Sequence, residues 1–235
     1  MSSQHWYKGK VIKVADEAQD IRRFWIEVPE LAAFQFSPGQ YVTLDLPIHE
    51  EVHMRHRHYS IASWPNNTNV FELVIAMRGN GAGTPYFFQR VGVGTDIVLH
   101  GPLGTFMLKE PLEKDLFLIC TGTGIAPFRS MVNHIFNQGI RHKNIYLIFG
   151  GRTKAGLLYY EELTKLQEKA SGFHYIPTLS QEHWEGKMGR VHPIYEALCK
   201  ERQPAIFFLA GFREMVEDAK RNIAAMGYED ILVQH

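Results

Sequence analysis

Leu116-Phe117-Leu118-Ile119-Cys120 runs without a polar residue into Thr121-Gly122-Thr123-Gly124-Ile125-Ala126-Pro127, and from there into a helical pattern that lasts to Gln138. A wholly apolar strand, a glycine turn and a helix in that order mark one unit of a parallel α/β sheet, whose strands are buried on both faces. The turn brings free backbone N–H groups and the positive end of a helix dipole to one point, so it offers a phosphate site. It differs from the usual dinucleotide fingerprint, because Pro127 stands at the third glycine position. The next strand also ends in Gly150-Gly151-Arg152 rather than in an acidic residue for a ribose hydroxyl. Nor is it a P-loop, since no Gly-Lys-Ser/Thr follows.

Downstream the same alternation repeats. Asn144 to Phe149 precedes a helical period over Tyr159 to Lys169, His174 to Leu179 precedes His192 to Lys200, and Ile206 to Ala210 precedes Glu214 to Met226. Upstream the pattern is different: Gly9 to Val14, Ile21 to Val28, Gln40 to Leu46, His56 to Ala62, Val70 to Met77 and Asp96 to His100 read as short strands separated by Gly, Pro and Asn. Six such strands predict an antiparallel barrel or sandwich. A helix over Thr84 to Arg90 interrupts them, with Thr84 as its expected cap and Pro85 at its first position. The change of pattern falls in Gly101-Pro102-Leu103-Gly104 and the polar stretch Lys109 to Asp115, read as a hinge. Two domains are therefore expected, a β-barrel over residues 1–108 and a parallel-sheet α/β domain over residues 109–235.

Composition narrows the function. The 235 residues are 45% hydrophobic, and 25 Lys+Arg balance 25 Asp+Glu, so no net charge draws the chain to nucleic acid or an anionic membrane. No apolar run approaches the roughly 20 residues of a membrane span, and the first residues resemble no signal peptide, which places the protein in the cytoplasm. Two cysteines, Cys120 and Cys199, cannot supply a four-cysteine iron–sulfur cluster, so another cofactor has to carry any electrons.

Three stretches hold candidate chemistry. In Arg57-His58-Tyr59-Ser60 strand alternation puts Arg57 and Tyr59 on one face, a guanidinium beside an aromatic plane, which suits a flat ligand bearing a phosphate. Ser60 falls on the other face unless the strand twists or bulges. Gly79-Asn80-Gly81-Ala82-Gly83-Thr84-Pro85 leads a flexible loop into a helix start, a second phosphate-type site. Alone, the first motif is equally an ordinary exposed strand and the second a plain capped turn. Two phosphate-type loops, one in each half, point to two phosphate-bearing ligands meeting where the domains join. His53, His56 and His58 raise the possibility of a metal, without a carboxylate or cysteine to complete a set. Cys120 reads as a small core residue more readily than as a redox thiol. Lys200, Arg202, Lys220 and Arg221 read as solvated positions or as a docking face for an acidic protein.

In order, Arg-x-Tyr-Ser, Gly-x-x-Thr before a helix, Gly-Pro-x-Gly-x-Phe and Thr-Gly-Thr-Gly-Ile-Ala-Pro resemble the ferredoxin–NADP reductase superfamily over nearly the whole chain. The resemblance implies a flavin-binding antiparallel barrel followed by a nicotinamide-nucleotide-binding α/β domain, with FAD as cofactor rather than FMN and NADPH or NADH as hydride donor. It implies that Tyr59 lies against the isoalloxazine, Arg57 pairs with a flavin phosphate and Ser60 approaches the reactive nitrogen, which makes Tyr59 and Ser60 the catalytic candidates. His58 sits within that motif. Gly81, Ala82, Gly83 and Thr84 would hold the pyrophosphate, and Ile75 and Ala76 would run beside the ring by their main chain. Gly122, Thr123, Gly124 and Pro127 would form the nucleotide's pyrophosphate turn, with Arg152 and Ser180 at the ribose or 2′-phosphate. Arg190 matches a recurring pattern of open role. No metal is implied.

The departures from the pattern carry expectations of their own. Ala210-Gly211-Phe212 replaces the Cys-Gly-Pro of many members, so catalysis is expected to rest on positioning. The aromatic residue that ends many relatives and covers the flavin is replaced by Leu232-Val233-Gln234-His235, which leaves His235 or Tyr228 as a cover, or a flavin that lies more exposed. Ser180-Gln181 stands where members selective for the phosphorylated dinucleotide often have Ser-Arg, while Arg152 keeps NADPH open. The expected function is hydride transfer from NAD(P)H to flavin N5, then electron delivery to a separate acceptor such as a ferredoxin, flavodoxin or oxygenase component. The alternatives are an NAD(P)H:flavin reductase that uses free flavin as substrate, and a flavin-binding regulatory module without turnover.

Overall fold

The computed structural model describes residues 5–79 and 81–234. Two compact units result, one running through Leu108 and including Arg129–His134, the other made of Lys109–Phe128 and Ile135–His235.

The first unit is a six-stranded antiparallel sheet in the order β4-β3-β6-β1-β2-β5. Its strands are β1 (Tyr7–Ala18), β2 (Ile21–Glu27), β3 (Tyr41–Asp45), β4 (His56–Ser60), β5 (Val70–Ala76) and β6 (Asp96–Leu103). A bridge between Ile61 and Leu73 joins the two outer strands and closes the barrel. Alternating residues such as Phe24 and Ile26, Val42 and Leu44, and Phe71, Leu73 and Ile75 fill its interior. Gly9 is required by that packing, since a Cβ there would lie 2.7 Å from both Ile26 and Leu99. Strand β6 extends through Gly101 and Pro102 to Leu103, so the first half of the expected hinge is a continuation of the barrel instead.

The helix of this unit, α1 (Gly83–Arg90), starts one residue earlier than the sequence suggests, and Thr84 does not cap it. The Thr84 hydroxyl instead accepts from Arg78 N–H (2.9 Å) and donates to Arg78 C=O (3.0 Å). A residue inside the first turn cannot also supply the cap in front of it.

The second unit is a six-stranded parallel sheet in the order β10-β9-β8-β7-β11-β12. Its strands are β7 (Asp115–Thr121), β8 (Ile145–Gly151), β9 (Phe173–Leu179), β10 (Lys187–Met188), β11 (Ala205–Ala210) and β12 (Ile231–Gln234). The helices α2 (Ile125–Gln138), α3 (Tyr160–Lys169), α4 (His192–Leu198) and α5 (Arg213–Ala225) fall between them. Leu116 to Cys120 of β7 are all buried, as a central parallel strand requires. The two outer strands, β10 and β12, are absent from the sequence reading. At two and four residues each is too short to show a period of its own, and each pairs with an adjacent strand that presents unpaired backbone groups.

Candidate functional site

In the first unit β4 pairs with β3 without interruption from Tyr41↔Ser60 to Asp45↔His56. Tyr59 and Arg57 thus stand opposite the core residues Val42 and Leu44, on the inner face, where the Tyr59 ring meets Phe87 of α1 edge-on at 5.5 Å. Burial pushes the Tyr59 hydroxyl up to about 12, against the opposing pull of Arg57 and Arg78, so it stays a proton-bearing donor at neutral pH. Arg57 donates to the carbonyls of Met54 (3.0 Å) and His56 (2.7 Å), which straps its side chain along the start of α1. A Cβ on Gly83 would fall 2.9 Å from the Arg57 Nε, so the missing side chain lets Arg57 lie close against the helix start. Among the described residues no side chain caps α1, and Gly81 has open space around it. A guanidinium, a helix start with free N–H groups and an open glycine loop therefore converge, and that is the chemistry of a phosphate cradle. Thr84, by clasping Arg78, holds the two ends of the loop together; Asn80 lies outside the described residues.

His58 is turned to the opposite face, where its Nδ1 lies 2.8 Å from the Thr43 hydroxyl. Burial, then His56 and Arg57, lower its pKa, so it is neutral near pH 7 and forms no cationic lip around Tyr59. His56 packs against Trp6 at 5.1 Å and His53 faces Glu51 at 3.3 Å, and no metal-holding group of His, Cys, Asp or Glu occurs among the described residues. Ser60 is the last residue of a strand without a bulge, so it reaches a ligand lying on Tyr59 only around the strand end. Ile75 sends its side chain into the core, which leaves main chain for any contact there, and Ala76 ends the strand beside it. Arg78, which the sequence reading passed over, is the residue that Thr84 fixes and one of two cations near the Tyr59 hydroxyl.

If Arg57 meets the phosphate of the flavin that the resemblance implies, replacing it with alanine is expected to weaken that binding by roughly 10- to 100-fold, the worth of a charge-assisted contact of about 1.5–3 kcal/mol. Fluorescence titration of the flavin-free protein measures it.

In the second unit the turn after β7 is interlocked with the turn after β11. A Cβ on Gly124 would lie 2.6 Å from the Ala210 carbonyl and the Gly211 nitrogen. Gly211 has φ +128°, and a Cβ there would lie 2.4 Å from the Thr121 hydroxyl, which accepts from Phe212 N–H at 2.9 Å. Gly122 takes φ +54° and no side chain caps α2, so the N–H groups of Gly122, Thr123 and Gly124 gather at the carboxyl end of the sheet, with Pro127 in the first turn of the helix behind them. Phe212, 53% exposed, projects beside Gly122. Cys120 is fully buried and its thiol is held protonated, so it is a core residue.

At the neighbouring strand ends the backbone pairing continues past β8 and β9. Ser180 N–H donates to Gly151 C=O (3.0 Å) and Gln181 N–H to Arg152 C=O (3.1 Å), which sets Arg152 and Ser180 side by side on the surface. Glu182, unremarked in the sequence, accepts from Lys154 N–H at 2.8 Å. The Lys154 ammonium pairs with Glu185 at 2.7 Å, and that bond lowers the Glu185 pKa and raises that of Lys154. Tyr228 lies at the other end of this sheet. Its ring packs on Phe207 at 4.8 Å and its hydroxyl donates to Gln203 C=O, so it is tied to the core at the amino end of β11. His235 lies outside the described residues; Gln234 before it pairs with Ala210 at the carboxyl end.

The oxidoreductase FAD-binding domain profile matches residues 8–108 and the oxidoreductase NAD-binding domain profile residues 118–221. The anthranilate 1,2-dioxygenase electron transfer component of Acinetobacter baylyi is 33% identical over 187 residues, which are 79% of this chain and 53% of that protein. Ferredoxin–NADP reductase B of Sorangium cellulosum is 30% identical over 198 residues, 83% of this chain and 79% of that one. The chain spans 53% to 64% of the length of three curated relatives it matches. The crystal structure of the Amycolatopsis cytochrome P450 reductase GcoB superposes with a TM-score of 0.87 at 25% identity, covering 98% of this chain and 70% of that one. A ferredoxin NADP+ reductase from Neisseria gonorrhoeae with bound FAD and NADP shares the fold, with a TM-score of 0.82 at 23% identity and 99% coverage of both chains.

Proposed function

The chain belongs to the ferredoxin–NADP reductase family, an FAD-binding domain followed by an NAD-binding domain, and on that premise we propose that it takes a hydride from NAD(P)H onto N5 of a bound FAD and hands the electrons to a separate acceptor. The acceptor proposed is a ferredoxin, a flavodoxin or an oxygenase component, in keeping with relatives named as an electron transfer component of a dioxygenase and a reductase component of a propane monooxygenase. Residues 1–108 are assigned to the flavin and residues 109–235 to the nucleotide. No helix among the described residues is long and apolar enough to cross a membrane. Two buried free cysteines suit a reducing compartment, and the cytoplasm is the proposed location.

The observation that carries this reading is the convergence of Arg57, Gly81 and Gly83 at the uncapped start of α1, with the Tyr59 ring on the same strand face. Those groups fit the pyrophosphate and the flat ring of a flavin dinucleotide. Bound flavin supplies a two-electron acceptor for hydride that can release electrons singly. Arg57 and the N–H groups of the loop bind the negative charge. Tyr59, kept protonated and braced by Phe87, gives the ring a wall, and Ser60 at the strand end gives a hydroxyl near its edge. In the nucleotide domain the N–H groups of Gly122 to Gly124 hold the second pyrophosphate, with Arg152 and Ser180 at its ribose. No side chain here need exchange a proton for hydride transfer, so alignment is the protein's contribution.

A visible absorption spectrum, repeated anaerobically after adding NADH and then NADPH, tests the reading. Flavin bands present at the start and bleached by a nucleotide are expected. A colourless protein that oxidises NAD(P)H only with added flavin would replace it with the free-flavin reductase, and bands that neither nucleotide bleaches would leave a module without turnover.

A further inference from the structure

We propose that Arg129 is a positioning residue for hydride transfer: it fixes the corner of the barrel at residues 60–62 and so sets where the Ser60 hydroxyl stands. The inference rests on the reading of Ser60 as the hydroxyl at the flavin edge and names the group that holds it there.

Ser60 faces away from Tyr59, so its reach to a ring lying on Tyr59 depends on how the chain turns after β4. That turn is a change of partners. On the β3 side Tyr41 pairs with Ser60, and Ile61 N–H donates to Gln40 C=O at 3.0 Å. On the β5 side Ile61 bridges Leu73, Ala62 N–H donates to Glu72 C=O at 2.8 Å, and Glu72 N–H donates to the Ser63 hydroxyl at 3.0 Å. Ile61 and Ala62 are both 0% exposed, so the Ala62 carbonyl needs a donor from the protein. Arg129 supplies it. One guanidinium nitrogen donates to Ala62 C=O at 3.0 Å and to a Glu72 carboxylate oxygen at 3.1 Å, and the guanidinium carbon lies 5.3 Å from the centre of the Trp64 ring. Residues 60–64 and Arg129 all belong to the first unit. For holding Glu72 alone, Arg23 supplies two bonds, at 2.7 and 3.1 Å. What Arg129 adds is a charged, directed bond to the backbone two residues from Ser60, a geometry set by its planar fork.

The test compares Arg129→Met, the same change combined with Glu72→Gln, and Arg23→Met, each in the full chain with its flavin. Hydrogen exchange over residues 60–64, read by mass spectrometry, follows the corner without any redox step, and anaerobic stopped-flow reduction by NADH and NADPH follows the reaction. Arg129→Met is expected to speed exchange of the Ile61 and Ala62 N–H groups by at least about tenfold. The saturated rate of flavin reduction should fall by at least about tenfold, with flavin content and donor affinity within about twofold of wild type. Arg129→Met leaves Glu17 and Glu72 to share Arg23, so adding Glu72→Gln restores one carboxylate to one guanidinium and should recover part of the lost Tm. The rate should stay low in that double variant, because Ala62 C=O still lacks its donor. Arg23→Met should lower Tm yet keep the rate within about threefold. A rate that recovers together with Tm, or exchange and rate both unchanged in Arg129→Met, overturns the assignment. If neither NADH nor NADPH bleaches the wild-type flavin, the hydride-transfer reading falls and exchange decides alone: faster exchange in Arg129→Met keeps Arg129 as the holder of the Ser60 corner, and unchanged exchange removes it.

Discussion

Valine in place of Gly124 is expected to lower kcat/KM for the nicotinamide donor by at least about 100-fold while FAD stays bound. The reason is geometric. A Cβ at this position points at the backbone of Ala210 and Gly211, 2.6 Å away, and backbone cannot swing aside as a flexible side chain would. Either the turn after β7 or the turn after β11 has to shift, and they are tied to each other through Thr121, whose hydroxyl holds Phe212 N–H. Displacing the N–H groups of Gly122 to Gly124 by about 1 Å is enough for a loss of that order in an aligned reaction. The proposed flavin cradle, Arg57, Gly83 and α1, lies in the other unit, so the visible flavin absorbance should persist. Steady-state kinetics and the flavin content of the purified variant measure both halves. Unchanged turnover would remove the turn from the nucleotide site.

The largest stability effect is expected at Glu72. This carboxylate, on the outward side of β5 but 2% exposed, accepts two bonds from Arg23 (2.7 and 3.1 Å) and one from Arg129 (3.1 Å), which also donates to Ala62 C=O at 3.0 Å. Arg129 is itself 4% exposed. Glu72→Ala takes from the buried Arg129 and the half-buried Arg23 the carboxylate they share, a change that costs about 3–5 kcal/mol, far above the 0–1 kcal/mol of a surface pair. For a chain of this length that is a fall in Tm of about 6–20 °C, read by calorimetry. Lys114→Ala, which breaks the exposed pair with Asp230, should shift Tm by about 4 °C or less. Equal shifts for the two variants would show that the network around Glu72 is not an energetic anchor.

Much of this architecture is legible in the chain because it is local. The five apolar residues before Thr121 can only be a strand buried on both faces, and the glycines after it can only be a turn, so the parallel sheet follows from adjacent residues. The same holds for Arg57 and Tyr59, which alternation alone puts on one face. Where the reading fails, a distant partner decides. Thr84 looks like a helix cap, yet its hydroxyl is used by Arg78, six residues back. The place of Tyr228 is likewise set at a distance: the parallel return of β12 starts from the amino end of the sheet, and Tyr228 is held there against Phe207. Glu182 has no signal in its own neighbourhood at all.

By itself, then, the sequence determined the order of the elements, the two halves, the two glycine turns and the residue types that meet phosphate, because each depends on hydrogen bonding and side-chain periodicity within a few residues. The tertiary structure decided which of those groups converge: Arg57 on Gly83, Gly124 on Ala210, Glu182 on Lys154 and Glu72 between two arginines. These are contacts between segments brought together by sheet register, and a register is fixed by the packing of whole strands rather than by any local run of residues.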